Sequence, residues 1–410
     1  MTTPESTISE AADLSSAKPI AERPLIWLGA ITTGVVVTNL FASQILVGLM
    51  ARSLSMTAGQ AGMISTLTLL GYAFGLLLLV PLVDLLENKR LILRTLACAI
   101  VAAFGTALAP TPALLLAASF ILGASCASIQ MTVPLVASMV PPARRGQAIG
   151  EVMSGLMIGI LLSRPLASLI ADMWGWRSYY FVSAALMAAL VCALARYLPS
   201  LKPATATRYG ALLRSFPQLL RDEPVLRVRA WTAALVMASF TAFWAAVALR
   251  LPDPPFALDA RGIALFALIG VAGAAATSFA GRMGDRGFTR PLLIAAHLLI
   301  MASAGLCAWA ASLDSRIASL ILLGCGAILL DIGITVDQTL GRRAINLLRP
   351  EARGRMNALF VALFFLGGAV GAAAASFAWT HGGWSWVCAV TGLFGLLGLV
   401  TDLVTKTGRA

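Results

Sequence analysis

Charged side chains are scarce in this sequence, at 12% of 410 residues, about half the share of an ordinary soluble domain. A chain this long with so little charge cannot coat a water-facing surface. A bilayer removes that requirement, because lipid-facing surface is itself apolar. Histidine is scarcer still: His297 and His381 stand apart, so no metal centre is expected. The six cysteines (Cys98, Cys126, Cys192, Cys307, Cys325, Cys388) are scattered through apolar runs with no C-x-x-C pair. That pattern speaks against a disulfide framework or zinc site; a thiol in such a run acts as a small hydrophobe. No G-x-x-x-x-G-K-S/T segment occurs, so no nucleotide is bound by a P-loop. Neither G-x-S-x-G nor H-E-x-x-H occurs either. The chain is not expected to be an enzyme, and no cofactor is expected; an ion gradient, with protons the first choice, is the expected energy source.

What is abundant is apolar sequence: 59% of residues are hydrophobic and the mean hydropathy is +0.88. Apolar runs of spanning length lie at about 25–50, 59–83, 91–109, 112–139, 146–171 and 176–197. Six more follow at about 230–250, 261–281, 290–311, 316–341, 354–377 and 384–404. Each approaches or exceeds the ~20 residues that a spanning helix needs. The expected architecture is an all-α membrane protein of twelve transmembrane helices. Its parts are an N-terminal tail (1–24), a six-helix bundle (25–198), a basic linker (199–229), a second six-helix bundle (230–404) and a C-terminal tail (405–410). The tail lacks the basic start and apolar core of a signal peptide.

The net charge of +12 lies in short clusters between the runs. It forms no basic stripe, which argues against a nucleic-acid face. With both termini taken as cytoplasmic, 24 Lys and Arg fall on the inner side and 5 on the outer, with Arg164 alone inside a span. This is the positive-inside bias of a membrane topology. Ala- and Arg-rich composition with short loops points to a bacterial inner membrane.

The chain also repeats itself. At an offset of 208 residues Gln130 meets Gln338, Pro142 meets Pro350, and Arg145–Gly146 meets Arg353–Gly354. Gly159 meets Gly367, and Gly175–Trp176 meets Gly383–Trp384, in the same register. At an offset of 201, Asp84 meets Asp285. Two related halves in parallel orientation form a plan used by many transporters.

Two six-helix halves, each with an Asp-plus-basic loop after its second helix, resemble the major facilitator superfamily. The superfamily's loop motif reads roughly G-x-x-x-D-R-x-G-R-R. Gly281, Asp285, Arg286 and Gly287 match it, the last one position early; in the first half Asp84, Lys89 and Arg90 match, while Val80 and Glu87 replace the glycines. Asn39-Leu-Phe-Ala-Ser-Gln44, Asp331-Ile-Gly with Gln338, Arg353-Gly-Arg-Met-Asn357 and Gly367-Gly368 resemble a bacterial efflux branch. Trp174-Gly-Trp-Arg177 also fits the superfamily. Two departures stand out from drug/proton antiporters: Ser119 replaces an arginine in helix 4, and Gly155-x-x-x-Gly159 replaces a Gly-Pro step in helix 5. The resemblance implies a secondary transporter working by alternating access, with proton-coupled efflux of a small, partly apolar solute as the first expectation. Solute uptake is the alternative, and a membrane sensor or membrane-embedded enzyme a distant one. A monomer in the lipid bilayer is expected, without nucleic acid.

Candidate residues follow from polarity inside the spans. Asp331 lies 15 residues from Arg316 and 11 from Arg342, ~22 and ~16 Å along a helix. A carboxylate there is costly in lipid, so it faces a cavity, a partner or a proton. Coupling and a structural hydrogen bond both fit, and Thr335 and Gln338 share its face. Arg164 contacts a solute anion or an ion-pair partner, or else snorkels to the interface. Its depth differs from that of Asp331 by ~10 Å on helix geometry, so no direct pair is predicted. Asn39, Ser43, Gln44 and Gln130 either meet solute or bond between helices. Phe240 and Trp244, at i and i+4, either line a cavity or pack. The resemblance implies that Asp84 and Asp285 latch the halves at the cytoplasmic face; helix end-capping is the simpler reading.

Overall fold

The computed structural model describes residues 22–141, 144–200, 209–348 and 352–405. Most of the N-terminal tail, the end of the C-terminal tail, linker residues 201–208 and the Pro142/Pro350 match lie outside the described residues. Among those described, the chain is almost wholly helical.

The first half holds α1 (Glu22–Ser53), α2 (Ala58–Leu78, continued by a 3-10 turn Val80–Asp84) and α3 (Asn88–Leu108). It continues with α4 (Pro112–Ser125, resumed after a break as Ser128–Ser138), α5 (Arg145–Trp174) and α6 (Trp176–Tyr197). The second half holds α7 (Pro224–Arg250) and α8, which is split into Ala260–Ala267 and Val271–Asp285 by a 3-10 turn at Leu268–Gly270. Then come α9 (Thr289–Ala310), α10 (Arg316–Asn346) and one helical stretch, Arg353–Val404. That stretch is 52 residues long and broken at Gly383, where φ is 62°. We number its parts α11 (353–382) and α12 (384–404). Ten helices among the described residues meet the length and hydropathy of a membrane span. Dividing the last at Gly383 and adding the split α8 gives the twelve expected passes.

The repeat is visible in the backbone. Gly175, which separates α5 from α6, has φ 83°, and its counterpart Gly383 has φ 62°. Both turns use the left-handed region open to glycine. The halves also share a packing device. A Cβ on Gly155 or Gly159 would lie 2.2 Å from the Ala30 or Gly34 carbonyl oxygen on α1. One on Gly367 or Gly371 would lie 2.1 Å from that of Ala234 or Ala238 on α7. Glycine one turn apart lets each pair of backbones touch.

Linker residues Tyr209–Asp222 form an amphipathic helix burying Leu212, Phe216 and Leu219. Its Tyr209 hydroxyl donates to the Leu78 carbonyl at 2.8 Å, resting the helix on the end of α2. We call this the linker end of the bundle and the opposite end distal. The span boundary at 230 is corrected here: α7 begins at Pro224 and takes in Arg229, which is 5% exposed. Arg164 is therefore not the only basic residue inside a span.

Candidate functional site

Arg164 is 3% exposed, so its guanidinium is removed from bulk solvent. Its Nη2 and Nε donate to Gln44 Oε1 on α1 at 2.9 and 3.2 Å. The guanidinium also lies over three aromatic rings, 4.3 Å from the Trp244 centroid, 5.1 Å from Phe240 and 5.3 Å from Phe41. Each such contact stabilises a desolvated cation by ~0.5–2 kcal/mol. Trp244 then hands the contact on, its Nε1–H donating to Asp331 Oδ1 at 3.4 Å. The positions that helix depth had set ~10 Å apart thus join through one indole ring. Pro165 lies inside α5 beside Arg164.

The break in α8 completes the surroundings of Asp331. A Cβ on Gly270 would lie 3.2 Å from Asp331 Oδ2, so this backbone abuts the carboxylate. Gly270 is also the N-cap of the second segment of α8. A helix N-terminus carries partial positive charge, which favours an anion there. Aromatic rings close the rest: Phe41 with Phe240 at 6.3 Å and Phe365 at 6.5 Å, and Tyr72 with Phe365 at 4.6 Å. The cluster draws α1, α2 and α5 from one half and α7, α8, α10 and α11 from the other. Gln44 Nε2 is buried with no hydrogen-bond partner among the described residues. That leaves one donor open at a site otherwise lined by rings. Distal to the cluster, a cleft of about 450 Å³ opens between α1, α2, α7 and α11, with Arg52, Ser65, Asp253 and Trp379 among its lining residues.

The remaining candidates separate. Gln130 reaches the Tyr72 hydroxyl at the edge of the cluster. Thr335 and Gln338 are half-buried on α10. Asn39 turns away: its Oδ1 accepts from Ser183 on α6 at 2.8 Å, and its Nδ2 donates back to Val36 at 3.3 Å. It ties helices within the first half. Ser43 meets Ser65 on α2 at 3.4 Å. Phe41, Tyr72, Gly270 and Phe365 were not singled out in the sequence. Phe41 lies three residues before Gln44, so its helical face carried a signal; Phe365 and Gly270 sit in apolar runs that carry none.

The sequence profile of the Major Facilitator Superfamily matches residues 26–340. The chain belongs to that superfamily. The uncharacterized transporter YgaY of Escherichia coli O157:H7 is 35% identical over 376 residues, covering 92% of this chain and 94% of its own. A Streptomyces coelicolor chain named as a transporter, SCO4007, is 30% identical over 408 residues, covering 98% and 93%. Among solved structures, a bacterial homologue of the lysosomal transporter Spinster, inward-facing and unoccupied, superposes with TM-score 0.73 at 14% identity, covering 95% and 97%. A D-xylose–proton symporter gives 0.73 at 14%, covering 94% and 98%. At these identities the likeness speaks for the fold. The chain is a multi-pass membrane transporter of the superfamily, and its relatives are transporters, not enzymes.

The superfamily loop motif lies at the linker end. Gly287 (φ 85°) makes the turn from α8 to α9. Asp285 pairs with Arg343 on α10 at 3.0 Å, and Glu87 with Arg90 at 2.8 Å. Both pairs lie within one half. Asp84 and Arg286 are exposed, while Lys89 and Gly281 are half-buried.

A second polar centre was missed altogether. His297, read as standing alone, is fully buried and faces Asp402 at 3.0 Å and Asp337 at 3.6 Å. Asp402 in turn pairs with Arg229. The carboxylates are 1% and 3% exposed. Their sequence signal was weak, because Asp402 and Arg229 sit near helix ends, where charge normally reaches water. The donor atoms of His297, Asp337 and Asp402 lie within 4.8 Å of one another. A resident divalent ion fits poorly there, since a guanidinium already holds Asp402.

Proposed function

We propose that this protein exports a small, partly apolar solute across the bacterial inner membrane in exchange for protons, as a monomer with its termini and linker in the cytoplasm. The observation that carries the reading is the cluster of Arg164, Trp244 and Asp331, a cation and a carboxylate from opposite halves meeting at one ring. A charge pair across the halves has to rearrange whenever they part, so alternating access and the state of Asp331 are tied together. Asp331 takes the proton. A carbonyl or anionic group on the solute replaces Gln44 at Arg164, and its apolar body lies among Phe41, Phe240 and Trp244. The efflux-type segments around Asn39–Gln44 and Asp331–Gln338 favour export, and basic residues at the linker end favour a cytoplasmic linker.

The test is flux in reconstituted vesicles under an imposed pH gradient, screened over apolar and amphipathic solutes. Wild type should move solute against the proton flow, and Asp331→Asn should lose the dependence on the gradient while remaining folded. Solute moving with the protons would make the protein an uptake symporter. Gradient-driven flux unchanged in Asp331→Asn would remove Asp331 from coupling.

A further inference from the structure

The buried centre of Arg229 (α7), His297 (α9), Asp337 (α10) and Asp402 (α12) lies wholly inside the second half, and the central cluster makes no use of it. Its charges do not balance. Two carboxylates face one guanidinium, and the imidazole must decide the rest. Asp402 is well served: Oδ1 takes Arg229 Nη2, and Oδ2 faces His297 Nε2 at 3.0 Å. Asp337 is not. Both of its oxygens are buried with no hydrogen-bond donor among the described residues, and Oδ2 lies 3.6 Å from the same His297 Nε2. One ring nitrogen carries at most one hydrogen, so it cannot serve both carboxylates. His297 Nδ1 is likewise buried without a partner. An anionic carboxylate in that position is strongly disfavoured. Arg229 Nη1 is also buried without a partner among the described residues, so the unmet need is one of charge: a single added proton, on Asp337 or shared with His297, neutralises the centre.

Two further observations separate this from an ordinary structural ion pair. The ring is seated against backbone: a Cβ on Gly398 would lie 2.5 Å from His297 Cε1 and 2.6 Å from Nδ1. The repeat also supplies a control. At the 201 offset His297 corresponds to Leu96, and at 208 Asp337 and Asp402 correspond to Ile129 and Leu194. All three are buried apolar residues. The same six-helix architecture is thus built without charge at these positions.

We propose that Arg229, His297, Asp337 and Asp402 form a binding site for one exchangeable proton, distinct from Asp331 and closer to the linker end. Asp337 follows Asp331 by six residues on α10, ~9 Å along the axis. Among the described residues, the charged groups facing the site are those four. Arg290, at the start of α9, reaches the Leu403 carbonyl nearby at 3.5 Å. Binding forms one O–H or N–H bond to a proton from linker-side water and requires no other reactant.

The test needs no transported solute. The full chain in lipid nanodiscs is taken from neutral to mildly acidic pH, and the protons taken up are counted with a pH indicator. Carboxyl vibrations are followed by infrared difference spectroscopy. Asp337→Asn removes a carboxylate that accepts no hydrogen bond among the described residues, so the variant should fold as stably as wild type and take up one proton fewer per chain. Asp331→Asn should leave the Asp337 band in place, and the double variant should lose both. Uptake unchanged in folded Asp337→Asn overturns the proposal. So does Mn²⁺ or Zn²⁺ binding to wild type that this variant abolishes, which would make the centre a metal site. Should Asp337→Asn not fold, the Asp331→Asn protein decides: a carboxylic-acid band that grows on acidification and shifts with His297→Gln supports the site, and its absence at every pH contradicts it.

Discussion

Arg164 and Asp331 come from opposite halves and meet through Trp244, whereas Arg229, His297, Asp337 and Asp402 all belong to one half. On the proposed account, contacts of the first kind change when the halves move, and contacts of the second kind persist through the cycle. A buried charge costs free energy in either place. In the first case, as proposed, that cost makes a moving joint sensitive to ligand and proton; in the second the cost stays within one half. The first half carries Leu96, Ile129 and Leu194 where the second carries His297, Asp337 and Asp402. The difference is therefore not demanded by the fold.

The sharpest way to break this comparison is to unpair the static centre. Asp402→Ala leaves Arg229 buried without the carboxylate that it hydrogen-bonds and should destabilise the protein by ~3–5 kcal/mol, read as a lowered midpoint of thermal unfolding in detergent. Replacing the pair together, Arg229→Met with Asp402→Leu, removes both charges and should recover most of that loss. If the double variant is as unstable as the single, the pair is not acting as a unit. Gly398→Ala forces the His297 ring to move and should cost ~1–3 kcal/mol. Gly354→Ala, with nothing within 4 Å of the added methyl, should stay within ~0.5 kcal/mol. The joint between the halves should behave in the opposite way. Asp331→Asn keeps an acceptor for the Trp244 N–H and should change stability by less than ~1 kcal/mol, while gradient-driven flux is lost. Smallest is Ser183→Ala, which removes one hydrogen bond to Asn39 within the first half. It should cost ~1 kcal/mol with transport unaffected.

The architecture was legible because a bilayer imposes it. Run length reported the twelve passes, and the placement of Lys and Arg and the 208-residue repeat agreed with them. At the site, Arg164, Gln44, Trp244 and Asp331 were visible as polar or large side chains out of place in apolar runs. Their meeting was not, since spacing along one helix carries no information on how two halves dock. Helix depth separated Arg164 from Asp331 because it ignores the reach of a long side chain and an intervening indole. Asn39 was open in the sequence to solute contact or to a bond between helices, since an amide serves equally well in both roles, and it is a tie between α1 and α6. Arg229 and Asp402 were passed over because their sequence positions, near helix ends, suit exposed charges. Only tertiary packing buries them.

The claim that the halves move about the central joint under the control of Asp331 can be measured by distance. Spin labels are placed at Arg52→Cys on the end of α1 and Asp253→Cys beyond α7, two exposed positions on either side of the distal cleft. The six native cysteines are replaced in this background. Double electron–electron resonance should resolve two separations whose populations shift with pH in wild type and no longer shift in Asp331→Asn. One fixed separation at every pH and in both proteins would contradict the account.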